Sequence, residues 1–405
     1  MNINKLQSLW LILACCLSVA RPIHAFEPEI SYQLDSFSNL YYNDSFGDTT
    51  SSTKYADTGL AQAFQLRFML LQGMDSSSYL ELHYELASQS VLYKNSGQIP
   101  PQPELSNSEG LYRAWDLNDG HDFDAQNTLS HNLDRLLYHK ALDWADLMLG
   151  RQAITFGLSK FSNQADVLYP ISLGSLITDY RQGVDAIRLE KPMGMLGVMD
   201  MGWVQGESQK KSAAFYRLKH HSDLAEYELT AINLYQDYLL TLGSQQAWGE
   251  VGLWQELSLI KDENLANEKA RLSMGADHRF GDFLYMVEYH YNGLGHKQSS
   301  EYLNNALSSS LYQKGSVQLL AQQYAFFSAS YLEGSRHQIS FQYSINLNDA
   351  SQLFSSIYGF NINELWDASL QLNLPIDSFV SDSNKETAEF STYNQLLSLN
   401  LKALF

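Results

Sequence analysis

Charged residues that recur two positions apart are the first chemical signal in this chain. Glu81, His83 and Glu85 share one phase of an alternating stretch, as do Arg217 and Lys219, then Arg271, Asp277 and Arg279, then Glu288 and His290. Arg67 and Lys402 stand in similar company, each between two apolar neighbours. A period of two places such side chains on one face of a strand. If that face lines the inside of a barrel, the mixed signs have two readings. They set up a transverse field that orients polar solutes in a narrow pore, or they are salt-bridged filling of a closed one. Both stay open at this level. Catalysis finds less support: His220, His221, His290 and His296 fall in no spacing that selects a Ser or Asp nucleophile, so no catalytic residue and no cofactor is expected. Asp116, Asn118, Asp119, Asp122 and Asp124 crowd one polar stretch. His121 occupies the place where a calcium-binding loop needs glycine, so a solvated acidic loop is expected there and no metal site.

Arg151, Arg181 and Asp185 form a second group. Arg151 falls in phase with Leu147 and Leu149, so either a bulge resets the strand or Arg151 sits at a rim. Arg181 and Asp185 share a face with Gly183, while Arg188 and Glu190 take the other, which leaves that strand unoriented. Their charges and placement suggest a cluster that anchors the polar stretch Gly157–Thr178, with ordinary rim charges as the alternative.

The elements that must position these residues are hairpins. From Arg271 to Asn292, Leu272, Met274, Ala276 and Phe280 share a face against Arg271, Ser273, Gly275, Asp277 and Arg279. After the turn Phe280-Gly281-Asp282, the residues Phe283, Tyr285, Val287, Tyr289 and Tyr291 oppose Glu288, His290 and Asn292. Each strand has roughly the ~9–11 residues that cross a bilayer, with aromatics toward its ends. The apolar face therefore belongs against lipid and the charged face in a lumen. A charged side chain facing lipid at the midplane costs ~2–4 kcal/mol for Arg or Lys, which favours the inward assignment.

The chain has 405 residues, 45% hydrophobic and 18% charged, with 45 acidic against 26 basic side chains. That acidity disfavours nucleic acid as a partner, because phosphate binding needs a basic surface. Residues 1–25 read as a secretory signal peptide: Lys5, an apolar run from Leu9 to Val19, and Ala25 before the cut. Both cysteines, Cys15 and Cys16, lie inside it. No later stretch is apolar enough for a spanning helix, so the expected fold is all-β: a transmembrane antiparallel up-and-down barrel over residues 26–405. Long loops are expected externally near 91–131, 157–178 and 296–316. Long loops and tight turns must alternate along such a barrel. That parity yields eighteen strands if Tyr238–Leu242 is a short strand of its own, and sixteen if it is loop or part of a longer strand.

At the end of the chain, Leu397, Leu399, Leu401, Ala403 and Phe405 share one face, which resembles the closing strand of bacterial outer-membrane barrels, where a terminal aromatic is part of the assembly signal. A further resemblance covers about a tenth of the chain. The run Leu149-Gly150-Arg151-Gln152-Ala153-Ile154-Thr155-Phe156-Gly157, with Asn163, Asp166-Val167-Leu168, Pro170 and then Asp179 to Leu189, looks like the signature of alginate-export-like porins and related barrels. Tyr289 to Gly295 is similar to a second, looser signature of that group. Phe156 stands where the group often has Trp, and Gln164 where a Pro commonly follows the Asn. The resemblance implies a porin-like outer-membrane barrel whose stretch 157–178 folds toward the pore. The partners it and the composition imply are outer-membrane lipid and lipopolysaccharide, a small polar or charged solute, and the barrel-assembly machinery acting through Phe405.

Overall fold

The computed structural model describes residues 27–43, 57–94, 111–115, 119–122, 127–170, 180–333, 336–377, 380 and 387–405. The expected signal peptide and the acidic side chains from Asp116 to Asp124 lie outside the described residues. The first strands are β1 (Glu29–Asn43), β2 (Asp57–Asp75), β3 (Ser78–Lys94), β4 (Asp119–Asp122), β5 (Asn127–Ala141), β6 (Asp146–Gln152) and β7 (Val184–Met193). They are followed by β8 (Gly197–Val204), β9 (Ala213–His221), β10 (Glu226–Leu234), β11 (Asp237–Trp248), β12 (Val251–Lys261) and β13 (Lys269–Phe280). The last are β14 (Phe283–Asn292), β15 (Gln323–Glu333), β16 (His337–Asn346), β17 (Gln352–Asn361), β18 (Trp366–Ile376) and β19 (Gln395–Leu404).

These nineteen strands form one sheet, and eighteen of them close it into an antiparallel barrel through β1 pairing with β19. The remaining one, β4, lies along the end of β5 that β6 is too short to reach. The parity argument therefore holds. The proposed short strand at Tyr238–Leu242 is the start of β11, but the turn that follows is at Gly249-Glu250. The alternation places the strand start at Ala247, and the structure corrects it, because Gly249 supplies a positive φ of 62° that lets the chain reverse. One rim carries the termini and tight turns such as Gly281-Asp282. The other carries the long connections 95–126, 153–183 and 293–322.

The outward phase is apolar all round: Phe64, Leu240, Val287, Phe327, Leu370 and Leu399 all stand exposed. Such a belt is stable only against hydrocarbon. Aromatic pairs border it near the turn-bearing rim, including Tyr32 on Phe68, Phe283 on Tyr331, and Trp366 on Phe405. The inward phase buries polar residues instead, among them Arg67, Asp200, Glu256, Ser273, His290 and Asn292.

Part of the lumen nevertheless has an apolar core. Ile154, Phe156, Val167 and Leu168, from the connection after β6, pack on Val204, Phe215, Ile232, Leu239 and Ile260 of the wall. This answers why that connection is rich in apolar residues: they fold inward rather than face water. Phe161 stacks on Phe326 of β15 with centroids 5.4 Å apart. Leu173, Leu176 and Ile177 lie outside the described residues.

Candidate functional site

The connection between β6 and β7 enters the lumen and is held by three carboxylates on alternate barrel strands. Glu228 of β10 accepts the main-chain N–H of Gly157 at 2.8 Å. Glu256 of β12 accepts those of Leu158 at 2.7 Å and of Ser159, Gln164 and Ala165 at 3.2 Å each. Glu288 of β14 accepts those of Lys160 at 3.0 Å, Phe161 at 3.4 Å and Ser162 at 3.1 Å. Every residue from Gly157 to Ala165 except Asn163 thus gives its N–H to the wall. Hydrogen bonds to a charged group contribute ~1.5–3 kcal/mol each, which outweighs the ~1–2 kcal/mol per residue lost in ordering a backbone. The array fixes this segment across the lumen.

Neighbouring side chains complete the hold. The Trp254 ring sits where Gly275 lacks a Cβ and donates its Nε1–H to Glu288 at 2.8 Å. Gln164 donates to Ser273 at 2.9 Å, and Arg271, fully inside the wall, donates to the Gln164 carbonyl at 3.2 Å. His290 lies 2.8 Å from the Ser273 hydroxyl.

The returning strand of the connection touches the opposite side of the barrel. The Tyr180 ring lies under the Arg67 guanidinium, 3.5 Å from its centroid, and Arg67 donates to Glu85 at 2.7 Å. His83 Nδ1 is 2.8 Å from the Tyr180 hydroxyl, and His83 Nε2 is 3.2 Å from Glu81. Burial pushes the Tyr180 hydroxyl well above its ordinary range. Arg181 pairs with Asp166, which staples the entering and returning halves together. Burial pushes the Asp166 carboxyl up to about 6, against the pull of Arg181. From Glu288 on one wall to Arg67 on the other, the connection spans the lumen.

The remaining expected residues fall as follows. Arg217 donates to Asp200 at 2.6 Å and to the Thr155 carbonyl at 2.8 Å, while Arg188 grips the same Asp200 at 2.8 Å. Arg151 is buried and donates twice to Asp185, at 2.7 and 3.0 Å. The ladder register runs unbroken through Gly150, so no bulge resets the strand; Arg151 stands one residue from the outer end of β6, at the rim, after Gly150 with its left-handed φ of 109°. The pair's further bonds go to a different connection from the one the sequence suggests. Arg151 reaches the Trp115 carbonyl at 2.6 Å, and Asp185 takes the Ala114 N–H at 2.8 Å. Arg113 of that segment is buried against Asp134 at 3.0 Å. Arg151 and Asp185 therefore hold residues 112–115, and only Arg181 binds within the stretch 157–178. Asp277 is half-buried opposite Gly252. Arg279 keeps the phase of Asp277 and stands exposed beside the turn, its Nε donating to the Gly281 carbonyl at 3.1 Å, one residue before the strand ends.

Glu228, Glu256 and Asp200 are absent from the sequence-derived set. The signal for two of them was present in the alternation: Glu228 shares a phase with Thr230, and Glu256 with Ser258, each against leucines. No group of three metal-ligating side chains occurs among the described residues.

No family model and no curated protein matches the chain. Solved structures do match in fold. OccAB3 of Acinetobacter baumannii aligns at 11% identity with a TM-score of 0.54, over 94% of this chain and 99% of its own. A BenF-like porin from Pseudomonas fluorescens Pf-5 aligns at 10% identity and 0.53, over 94% and 98%. OpdK of Pseudomonas aeruginosa, solved with vanillate, aligns at 11% and 0.51, over 93% and 98%. At these identities the likeness is one of fold, a closed antiparallel barrel along nearly the whole of each chain.

Proposed function

We propose that this protein is a channel of a Gram-negative outer membrane that passes a small polar or charged solute, narrowed by its own inward connection. The observation that carries this reading is the array of eight main-chain N–H groups held by Glu228, Glu256 and Glu288. A connection pinned this way across a barrel narrows it at a set height, which is what a selective pore needs. Arg67, Glu81, Glu85, Arg217, Arg271 and Glu288 shape the narrowed region, and Asp277 and Arg279 stand toward the turn-bearing mouth. The porin and the vanillate-bound protein among its fold neighbours support a small solute as cargo.

On this reading residues 1–25 direct export, the outer belt meets lipid and lipopolysaccharide, the long connections face outward, and Phe405 is read by the assembly machinery. Kinship with alginate-export-like porins rests on residues 149–157, Asn163, 166–168, Pro170 and 179–189, in and around the inward connection, and on the looser run 289–295. The apolar packing inside the wall favours one alternative, a plugged barrel that docks a partner of an envelope complex. Single-channel conductance of the purified mature barrel in a planar bilayer decides between them. Discrete steps support the channel. A silent bilayer, with folding shown by heat-modifiable gel mobility, supports the plug.

A further inference from the structure

The lipid-facing belt is broken by an amide near the middle of β12. The outward phase of that strand runs Val251, Leu253, Gln255, Leu257 and Leu259, and Gln255 stands exposed at its centre. Its register partner on β11 is Ser244, which lies between Trp248 at the turn-bearing rim and Tyr238 at the other. Rings of aromatics mark the two edges of the hydrocarbon band, so Gln255 and Ser244 lie within it. Gln255 gives one N–H to the Ser244 hydroxyl at 3.0 Å, which leaves its carbonyl oxygen and its second N–H turned outward. Hydrocarbon offers neither group a partner, and a polar group left unpaired there is costly.

The wall is also hollow beside this amide. A groove of about 600 Å³ opens on the outer face of β12–β14, between the outward rows Leu253-Ala276-Val287 and Gln255-Met274-Tyr289. The residues between those rows take their side chains inward and leave backbone as the floor, and the short Ala276 lets the surface sink. Whatever covers the patch must fill the groove and answer the amide at that depth. An acyl chain can do only the first, whereas a second copy of the chain can do both. Copies in one membrane share an orientation, so a rotation about the membrane normal relates them and keeps every residue at its depth. Across a twofold axis at Gln255, therefore, Gln255 meets Gln255. A primary amide both donates and accepts, so the two close a reciprocal pair. The same axis sets the groove against β10 and β11 of the other copy, on which Leu229 and Leu242 stand exposed.

We propose that the outer face of β10–β14 is a twofold interface with a second copy of this chain, with Gln255 on its axis. The inference is independent of whether the lumen conducts. The test is oxidative cross-linking of Gln255→Cys in outer membranes with copper phenanthroline, read on a denaturing gel. Leu66→Cys, exposed on the opposite side of the belt, is the comparison. Cys15 and Cys16 fall within the expected export signal, so each mature variant carries one thiol. Gln255→Cys should yield a disulfide dimer and Leu66→Cys none. In mild detergent, light scattering should find the parent barrel dimeric. Gln255→Leu suits lipid and leaves the ladders untouched; it should weaken association about tenfold with heat-modifiable mobility unchanged. That factor is ~1.4 kcal/mol, the scale of two hydrogen bonds within a bilayer. A monomeric parent, a Gln255→Cys variant that cross-links no more than Leu66→Cys, or one joined to a chain of another mass would overturn the interface. A Gln255→Leu barrel that associates as tightly as the parent would overturn the axis.

Discussion

Replacing Glu256 with Gln tests the hold on the inward connection most directly. One carboxylate oxygen takes Leu158 N, Ser159 N and Ser159 Oγ, and the other takes Gln164 N and Ala165 N. Glutamine keeps one acceptor oxygen and turns the other into an NH2 that faces donors. Whichever way the amide is turned, at least two buried N–H groups lose their acceptor, at a cost of ~1–3 kcal/mol each. The resulting ~2–6 kcal/mol falls on the connection alone, because the barrel ladders do not involve this side chain. Residues 157–165 should detach locally while the barrel stays folded. The expected result is larger and noisier single-channel conductance, faster amide exchange over 157–165, and new protease sensitivity there, with heat-modifiable mobility unchanged. If the Glu256→Gln barrel conducts like the parent and protects those amides equally well, the carboxylate array does not hold the connection.

Other outcomes follow from the same geometry. Arg151→Ala should lower the thermal unfolding midpoint, read by gel mobility, through a loss of about 3–5 kcal/mol, because it strips a buried ion pair and frees residues 112–115. Gly275→Ala would drive a Cβ into the Trp254 ring; the expected loss is ~1–3 kcal/mol with a shift in tryptophan fluorescence as the Glu288 bond breaks. Glu389, just before the short helix Phe390–Thr392, accepts the Leu320 N–H at 2.9 Å and the Asn346 side-chain amide at 3.0 Å; burial pushes its carboxyl up to about 7 from 4.5, so the fold favours its protonated form. That contribution, about 3 kcal/mol, is full below the unfolded value and is lost as pH rises through about 7. Glu389→Gln should flatten that part of the pH dependence of the unfolding midpoint; an unaltered slope would count against it.

The wall was legible in the sequence because its rule is local. A lipid-facing side chain and a lumen-facing one alternate, so Arg67, Glu288 and Arg271 could be placed inward from their immediate neighbours. Parity of long and short connections then yielded the strand number, even where the turn at Gly249 was misplaced. The interior was not legible, for the opposite reason. Lys160 meets Glu288 across 128 positions of chain, and Leu158 meets Glu256 across 98, with nothing local to mark either. Glu256 reads simply as one more polar residue on a polar face. Arg151 and Asp185 were recognisable as anchoring charges, but their choice of the segment 112–115 depends on β6 being short enough to leave a gap for it.

The array at Glu228, Glu256 and Glu288 recognises backbone rather than side chains. At a position whose side chain stands exposed, such as Lys160, any amino acid with an N–H would satisfy the carboxylate equally, whereas Gly157, with a φ of 85° and with Asn163 and Glu256 where a Cβ would stand, admits no side chain. Proline is shut out along the array, since it has no proton to give, and at position 164 it would strip an N–H from Glu256. The lumen therefore separates two design variables: where the obstruction runs is written in the wall, and what it presents to the space around it is written in the segment itself.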